Sequence, residues 1–265
     1  MTEISFRALR SGSAENCLLI KAPGAAVLID CGFKTRRLTE QLLEEYAGGA
    51  AGVTAVLITH GHGDHVGKQP MKVFAETETP VLCHKNSYRH VLSAAGGAQA
   101  RFGCFDDWIF KIGSLRFRAL EVKHSPGLRN YGFIISDEKG LVKISVFTDF
   151  FAWSPALVSE LADSDFIFIE ANHDPSMLVL NPNPNSAWHM PNERTARLLL
   201  EVRRKSKKPP VAVMLGHLSG QRNKPGLAAK ALVEVFEKES GAAPDFKVLE
   251  ASRSAVSEEV RILVP

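Results

Sequence analysis

The chain has 265 residues, 45% of them hydrophobic, enough to bury a large core in one α/β domain or two small ones. Its 32 basic and 29 acidic residues leave a formal charge of +3, which excludes a global electrostatic pull toward nucleic acid or anionic lipid. Four cysteines without a Cys-x-x-Cys pair exclude a dense disulfide framework, and no apolar run reaches the roughly 18 residues that cross a bilayer, so no membrane partner is expected.

The opening residues 1–10 alternate polar and apolar side chains around Glu3, unlike a signal peptide, and a cytoplasmic protein with reduced thiols is the expectation. Strand runs at 4–9, 17–21 and 26–29 are separated by Ser11-Gly12-Ser13 and Pro23-Gly24, the pattern of a meander. Helical spacing of Leu38, Leu42 and Leu43 predicts a helix over 35–46, and the wholly apolar run 55–58 predicts a buried strand. Further strands are predicted at 81–82, 115–121, 131–136, 142–147 and 165–170, with a short helix at 155–161. His84 and His90 fall in a segment read as an exposed helix, where they would be ordinary surface residues. A helix over 191–205 with Pro191 at its first position, a strand at 211–215, a helix at 227–238 and strands at 246–249 and 260–263 complete the chain. The second half roughly echoes the first, and no Gly/Pro/Ser-rich linker interrupts it. One domain over 1–265, two sheets packed together with helices on both outer faces, accommodates this order.

His60-Gly61-His62-Gly63-Asp64-His65 places three imidazoles and a carboxylate within six residues directly after an apolar strand. In an extended loop His60 and His62 project to one side and can share an ion, while the glycines let the backbone turn so that Asp64 and His65 reach a second. His124, Asp149 and His217 each follow a predicted strand. Singly, each is more often a satisfied buried polar side chain; jointly, convergence on one sheet edge explains them better.

These residues resemble the signature of the metallo-β-lactamase superfamily. Ser11-Gly12-Ser13 with Asn16-Cys17, Glu170-Ala171-Asn172-His173-Asp174, and Gly216-His217-Leu218-Ser219 with Asn223 further resemble its YycJ-like (WalJ) subgroup, which is associated with DNA exonuclease activity. His189-Met190-Pro191-Asn192 stands where that subgroup has His-Leu-Ser-Asn. The resemblance implies a four-layer αββα sandwich of two mixed sheets. It also implies two divalent ions, zinc or manganese with iron possible, the first on His60, His62 and His124, the second on Asp64, His65 and His217, and Asp149 bridging. Aspartate at the bridging place is the pattern of thioesterase and phosphodiesterase members, not of the true β-lactamases, which commonly have cysteine there.

On this reading a hydroxide bridging the ions attacks the phosphorus of a phosphodiester, with DNA as the expected substrate. Asp64 orients the hydroxide. His189, ahead of a helix N-terminus, contacts the phosphate or protonates the leaving group, or alternatively serves only as a structural cap. Asp30, ending the strand at 26–29, is expected to orient a ligand imidazole, and Asn172, His173, Asp174 and Ser219 to line the cleft. Arg203-Arg204-Lys205 with Lys207-Lys208, and the pair Arg36-Arg37, could bind phosphate backbones or simply complement a helix dipole. A small-molecule hydrolase acting on a cyclic phosphodiester or thioester, and a non-catalytic metal-binding module, are the alternatives. Oligomeric state is not legible.

Overall fold

The computed structural model describes residues 3–106 and 108–263; Met1 and Thr2, at the head of the segment read for a signal peptide, lie outside the described residues. The chain opens as an antiparallel meander, β1 (Glu3–Arg10), β2 (Cys17–Ala22) and β3 (Ala25–Ile29). Helix α1 (Arg36–Ala47) follows, capped by the Thr35 side chain on the Leu38 amide. Then come β4 (Ala55–Ile58), α2 (Lys68–Glu76), β5 (Pro80–His84), α3 (Tyr88–Ala95) and β6 (Arg101–Phe105). A second meander, β7 (Ile109–Ile112), β8 (Leu115–Val122), β9 (Asn130–Asp137) and β10 (Lys143–Phe147), begins the other half. It continues through α4 (Pro155–Leu161), β11 (Phe166–Glu170), α5 (Pro175–Leu180), α6 (Asn192–Lys205), β12 (Ala212–Gly216), α7 (Leu227–Ser240), β13 (Lys247–Glu250) and β14 (Val260–Leu263).

The strands form two seven-stranded mixed sheets, in the orders β14-β1-β2-β3-β4-β5-β6 and β13-β12-β11-β10-β9-β8-β7. Each is antiparallel over the meander and parallel beyond it, from β3 to β6 and from β10 to β13. The echo between halves is therefore one of topology. Three apolar clusters separate four layers: the first lies between the sheets, the second under α4, α6 and α7, the third under α1, α2 and α3. The αββα sandwich expected from the resemblance is the fold.

Burial follows exposure of each strand's faces. In β8 Leu115, Phe117 and Ala119 point inward while Arg116 and Arg118 face out, whereas all five residues of the parallel strand β11 are buried. Where the sequence reading differs, the reasons are local. His84 ends β5, buried and stacked on Tyr131 at 4.2 Å between ring centroids, and only His90 lies on an exposed helical surface. Pro191 is the residue preceding α6, not its first turn. The sequence reading has no counterpart for α2, α5, β6 and β7; β6 is a half-buried edge strand with a Gly at its centre, which blurs its apolar pattern.

Candidate metal centre

All seven candidate ligands follow the carboxyl ends of strands, the edge where α/β sheets place their sites. The histidine-rich turn follows β4 of the first sheet, while His124, Asp149 and His217 follow β8, β10 and β12 of the second. The site thus straddles the gap between sheets. Asp30, Asp149 and His217 each adopt a left-handed backbone, with φ of 60°, 57° and 52°, within two residues of the ends of β3, β10 and β12. Such non-glycine residues are costly and persist where surrounding bonds over-determine them. For Asp149 those bonds include Asn130, whose Nδ2 donates to the carbonyls of Thr148 at 2.8 Å and Asp149 at 2.6 Å.

His60 Nε2 lies 3.0 Å from His62 Nδ1, which lies 3.3 Å from His124 Nε2. Three ring nitrogens at such spacing match the edges of a tetrahedron around a cation with bonds of roughly 2.0 Å. His65 Nε2 stands 3.4 Å from Asp64 Oδ2 and 3.2 Å from Asp149 Oδ2, and His217 Nε2 3.7 Å and 3.5 Å from the same two carboxylates. His217 Nε2 is buried without a hydrogen-bond partner among the described residues. A buried nitrogen without a hydrogen-bond partner, 3.5 and 3.7 Å from two carboxylates, is an arrangement that a bound cation would satisfy, and the donor set therefore fits divalent metal.

Four of the five imidazoles, those of His60, His65, His124 and His217, commit Nδ1, the nitrogen turned away from the cluster, to a hydrogen bond. Asp30 Oδ2 accepts from His65 Nδ1 at 2.7 Å, and its other contacts, from the Thr59 amide and hydroxyl, tie it to the strand end. Thr59 Oγ1 also meets His60 Nδ1 at 3.0 Å, and His124 Nδ1 donates to the Trp188 carbonyl at 3.1 Å. Each such bond leaves the inner nitrogen as the lone pair facing the site. Gly32 permits the close approach beneath: a Cβ there would sit 1.7 Å from the Asp64 carbonyl oxygen. The backbone turns at Gly63–His65, where the amides of His65 and Val66 donate to the His62 carbonyl at 3.0 and 2.9 Å, as the glycines led one to expect; neither Gly61 nor Gly63 takes a positive φ there, and Gly61 passes close to the His90 backbone.

Electrostatics follow from burial of many charges together. Burial alone would raise the Asp64 and Asp149 carboxyls, yet the imidazoles of His65 and His217 hold both well below the usual carboxylate range. Burial disfavours charge on His217, but Asp149, Asp64 and Glu170 outweigh it and push its pKa up to about 10. His60, facing mostly other imidazoles, is driven well below its ordinary value by burial.

A family model for the beta-lactamase superfamily domain matches residues 25–213, the span holding every strand-end group but His217. The chain belongs to the beta-lactamase superfamily. Among its relatives, exodeoxyribonuclease WalJ of Streptococcus pneumoniae serotype 2 (strain D39) is 26% identical, covering 95% of this chain and 96% of the relative. Exodeoxyribonuclease YycJ of Bacillus anthracis is 24% identical over 89% of this chain and 90% of its own. The metallo-beta-lactamase fold protein YhfI of Bacillus subtilis superposes with a TM-score of 0.72 at 18% identity, covering 96% of this chain and 99% of that one.

Within this superfamily member, the cleft over the cluster of imidazoles and carboxylates has a volume of about 820 Å³, and Asn172, His189 and Ser219 line it. His189 Nδ1 bonds Glu170 Oε1 at 2.6 Å, and its ring lies 5.1 Å from those of His124 and His217. Two residues expected in the cleft are turned elsewhere. Asp174 caps α5 through Oδ1 on the Ser176 and Met177 amides, and His173 is buried where its backbone pairs with Pro191. Both are short-range structural roles of a strand-to-helix turn.

Two residues beyond the expected site occupy it. Glu170, at the end of β11 and fully buried, accepts with Oε1 from both His189 Nδ1 and His217 Nδ1 (2.8 Å) and with Oε2 from the amides of Phe150 (2.9 Å) and Met190 (3.3 Å). Asn16 bonds Gly12 through both side-chain atoms and donates to Asp64 Oδ2 at 3.2 Å, fastening the β1–β2 loop to the histidine-rich turn. The signal for Glu170 was a lone carboxylate ending an apolar strand, the same that marked Asp30.

Proposed function

We propose that this superfamily member is a two-metal phosphodiesterase that acts on DNA as an exonuclease. Carrying the reading is the buried cluster of five imidazoles and two carboxylates at the floor of an open cleft. It is supported by two relatives, each matching about nine-tenths of the chain or more, that are named exodeoxyribonucleases. His60, His62 and His124 would hold one ion, Asp64, His65 and His217 the other, with Asp149 between them. When bound, such ions lower the pKa of water from about 15.7 towards about 7 and neutralise charge on phosphoryl oxygens. The mixture of imidazole and carboxylate suits zinc or manganese, and admits iron. Because each sheet supplies part of the set, the chain 1–265 acts as one catalytic unit.

The remaining work falls to this chain's own side chains. Asp64, steadied by Asn16, orients the attacking water. Asp30 and Glu170 hold His65 and His217 in the tautomer that leaves Nε2 free. His189, with Nδ1 bound to Glu170, carries a proton at Nε2 to the leaving oxygen; Glu170 favours that charge against the opposing effect of burial.

End-labelled linear DNA incubated with manganese or zinc should release nucleotides, and chelation should stop it. Asp64→Ala should lower the rate by about a hundredfold or more. Turnover of cyclic phosphodiesters or thioesters with inert DNA would replace this reading by the small-molecule one; full metal occupancy with no hydrolysis of any ester would leave a binding module.

A further inference from the structure

We propose that Arg222 and Arg253 form an anion subsite on the cleft wall that grips a substrate phosphate flanking the one cleaved; this rests on the phosphodiesterase reading above. Among the described residues these are the arginine or lysine side chains that line the cleft, and neither has a carboxylate partner. The contrast with the basic end of α6 is sharp. There Arg203 pairs with Asp245, Arg204 with Glu201 and Lys208 with Asp165, and the helix carries Arg203 roughly 16 Å along its axis from Asn192 at the cleft end. Three of the five cations at that end are thus paired, and the end is remote from Asn192.

Arg222 is buried, with Nε donating to the Asn181 carbonyl at 2.6 Å and Nη2 near Asn181 Oδ1 at 3.4 Å. Those contacts orient the guanidinium without neutralising it, and a buried cation lacking a counter-charge is costly unless an anion arrives. Arg253 is exposed at its head but threaded between two glycines. A Cβ on Gly12 would lie 2.6 Å from Arg253 Cγ, and one on Gly220 would lie 2.5 Å from Nη1. Both loops therefore leave out side chains where this arginine passes. Gly220 is three residues beyond His217, so the slot adjoins the His217 side of the centre. Glu15, the carboxylate on this wall outside the metal set, accepts from the Lys34 amide at 2.8 Å. A planar guanidinium with free N–H groups recognises phosphate through paired, charge-assisted bonds.

The test compares single-stranded oligodeoxynucleotides with bis(p-nitrophenyl) phosphate, which has no second phosphate. Arg253→Gln should lower the oligonucleotide-to-small-diester ratio of kcat/KM by about tenfold or more, chiefly through KM. Gly220→Ala, which keeps the charge but displaces the guanidinium, should shift the ratio the same way by less. Replacing the flanking phosphate by a neutral methylphosphonate should cost the natural protein as much as the Arg253 substitution does, with no further loss when the two are combined. Oligonucleotides with and without a terminal phosphate separate a backbone contact from a chain-end contact. An unchanged ratio, or equal losses on both substrates, would overturn the subsite. If the natural protein hydrolyses no diester, the phosphodiesterase reading fails instead. Calorimetric binding of inorganic pyrophosphate then decides the subsite: Arg253→Gln should weaken it about tenfold, and equal affinity would end the proposal.

Discussion

Replacing Glu170 by Gln changes one atom at the point where four donors meet. The carboxylate accepts two imidazole N–H groups on Oε1 and two backbone N–H groups on Oε2. A carboxamide offers one acceptor and one donor, so it can serve only one pair. If its oxygen stays with the amides of Phe150 and Met190, its NH2 faces the imidazoles, and Nδ1 of His217 must give up its proton to Nε2. That nitrogen then has no lone pair for a metal, and affinity should fall about 10–100-fold, or roughly 1.4–2.8 kcal/mol. If the oxygen turns to the imidazoles, two buried amides lose their acceptor at about 1–3 kcal/mol each, and the fold loses roughly 2–6 kcal/mol. Competition against a chromogenic chelator reads the first outcome; urea denaturation of the metal-free protein reads the second. A variant equal to the natural protein in both measurements would refute the placement of Glu170 as the acceptor common to both rings.

Gly132→Ala should destabilise the protein by about 1–3 kcal/mol in urea denaturation, because a Cβ there would lie 2.2 Å from Cδ1 of the buried Phe147; Phe147→Leu in the same chain should recover part of the loss. Asp137 accepts the amides of Val142 at 2.8 Å and Lys139 at 3.0 Å, which outweigh burial and hold its carboxyl below the ordinary value. Its ionised form therefore stabilises the fold above the unfolded pKa of about 3.9, and that contribution disappears as pH falls through the lower folded value. Asp137→Asn should cost about 1 kcal/mol near pH 7, with the gap to the natural protein narrowing as pH falls below about 3.9; a gap independent of pH would contradict the assignment. Lys207→Glu, at the far end of α6, should change oligonucleotide kcat/KM by less than about twofold and leave its salt dependence as it was.

How far the residues speak for themselves depends on whether a signal is local. Strand-end ligands are local: an apolar run such as 55–58 followed by His60-Gly61-His62-Gly63-Asp64-His65 announces both strand and site. Asp30 was legible for the same reason. Glu170 presents the same pattern, yet its importance comes from two rings that reach it from positions 19 and 47 residues away. His84 looked like surface because its neighbours Lys85, Asn86 and Arg89 are polar, but its burial comes from Tyr131, which the second meander stacks on it. His173 and Asp174 shared a motif with Asn172, and only the direction of the chain into α5 separates the cleft residue from the cap.

The sequence by itself determined the alternation of strands and helices, the layered class and the seven groups able to bind metal, because apolar periodicity and side-chain chemistry are properties of short stretches. Tertiary structure alone decided that groups from two sheets meet, that one carboxylate serves two imidazoles, and that Arg253 runs between two glycines more than thirty residues away from it. Those arrangements depend on distances across chain separations that no local pattern encodes.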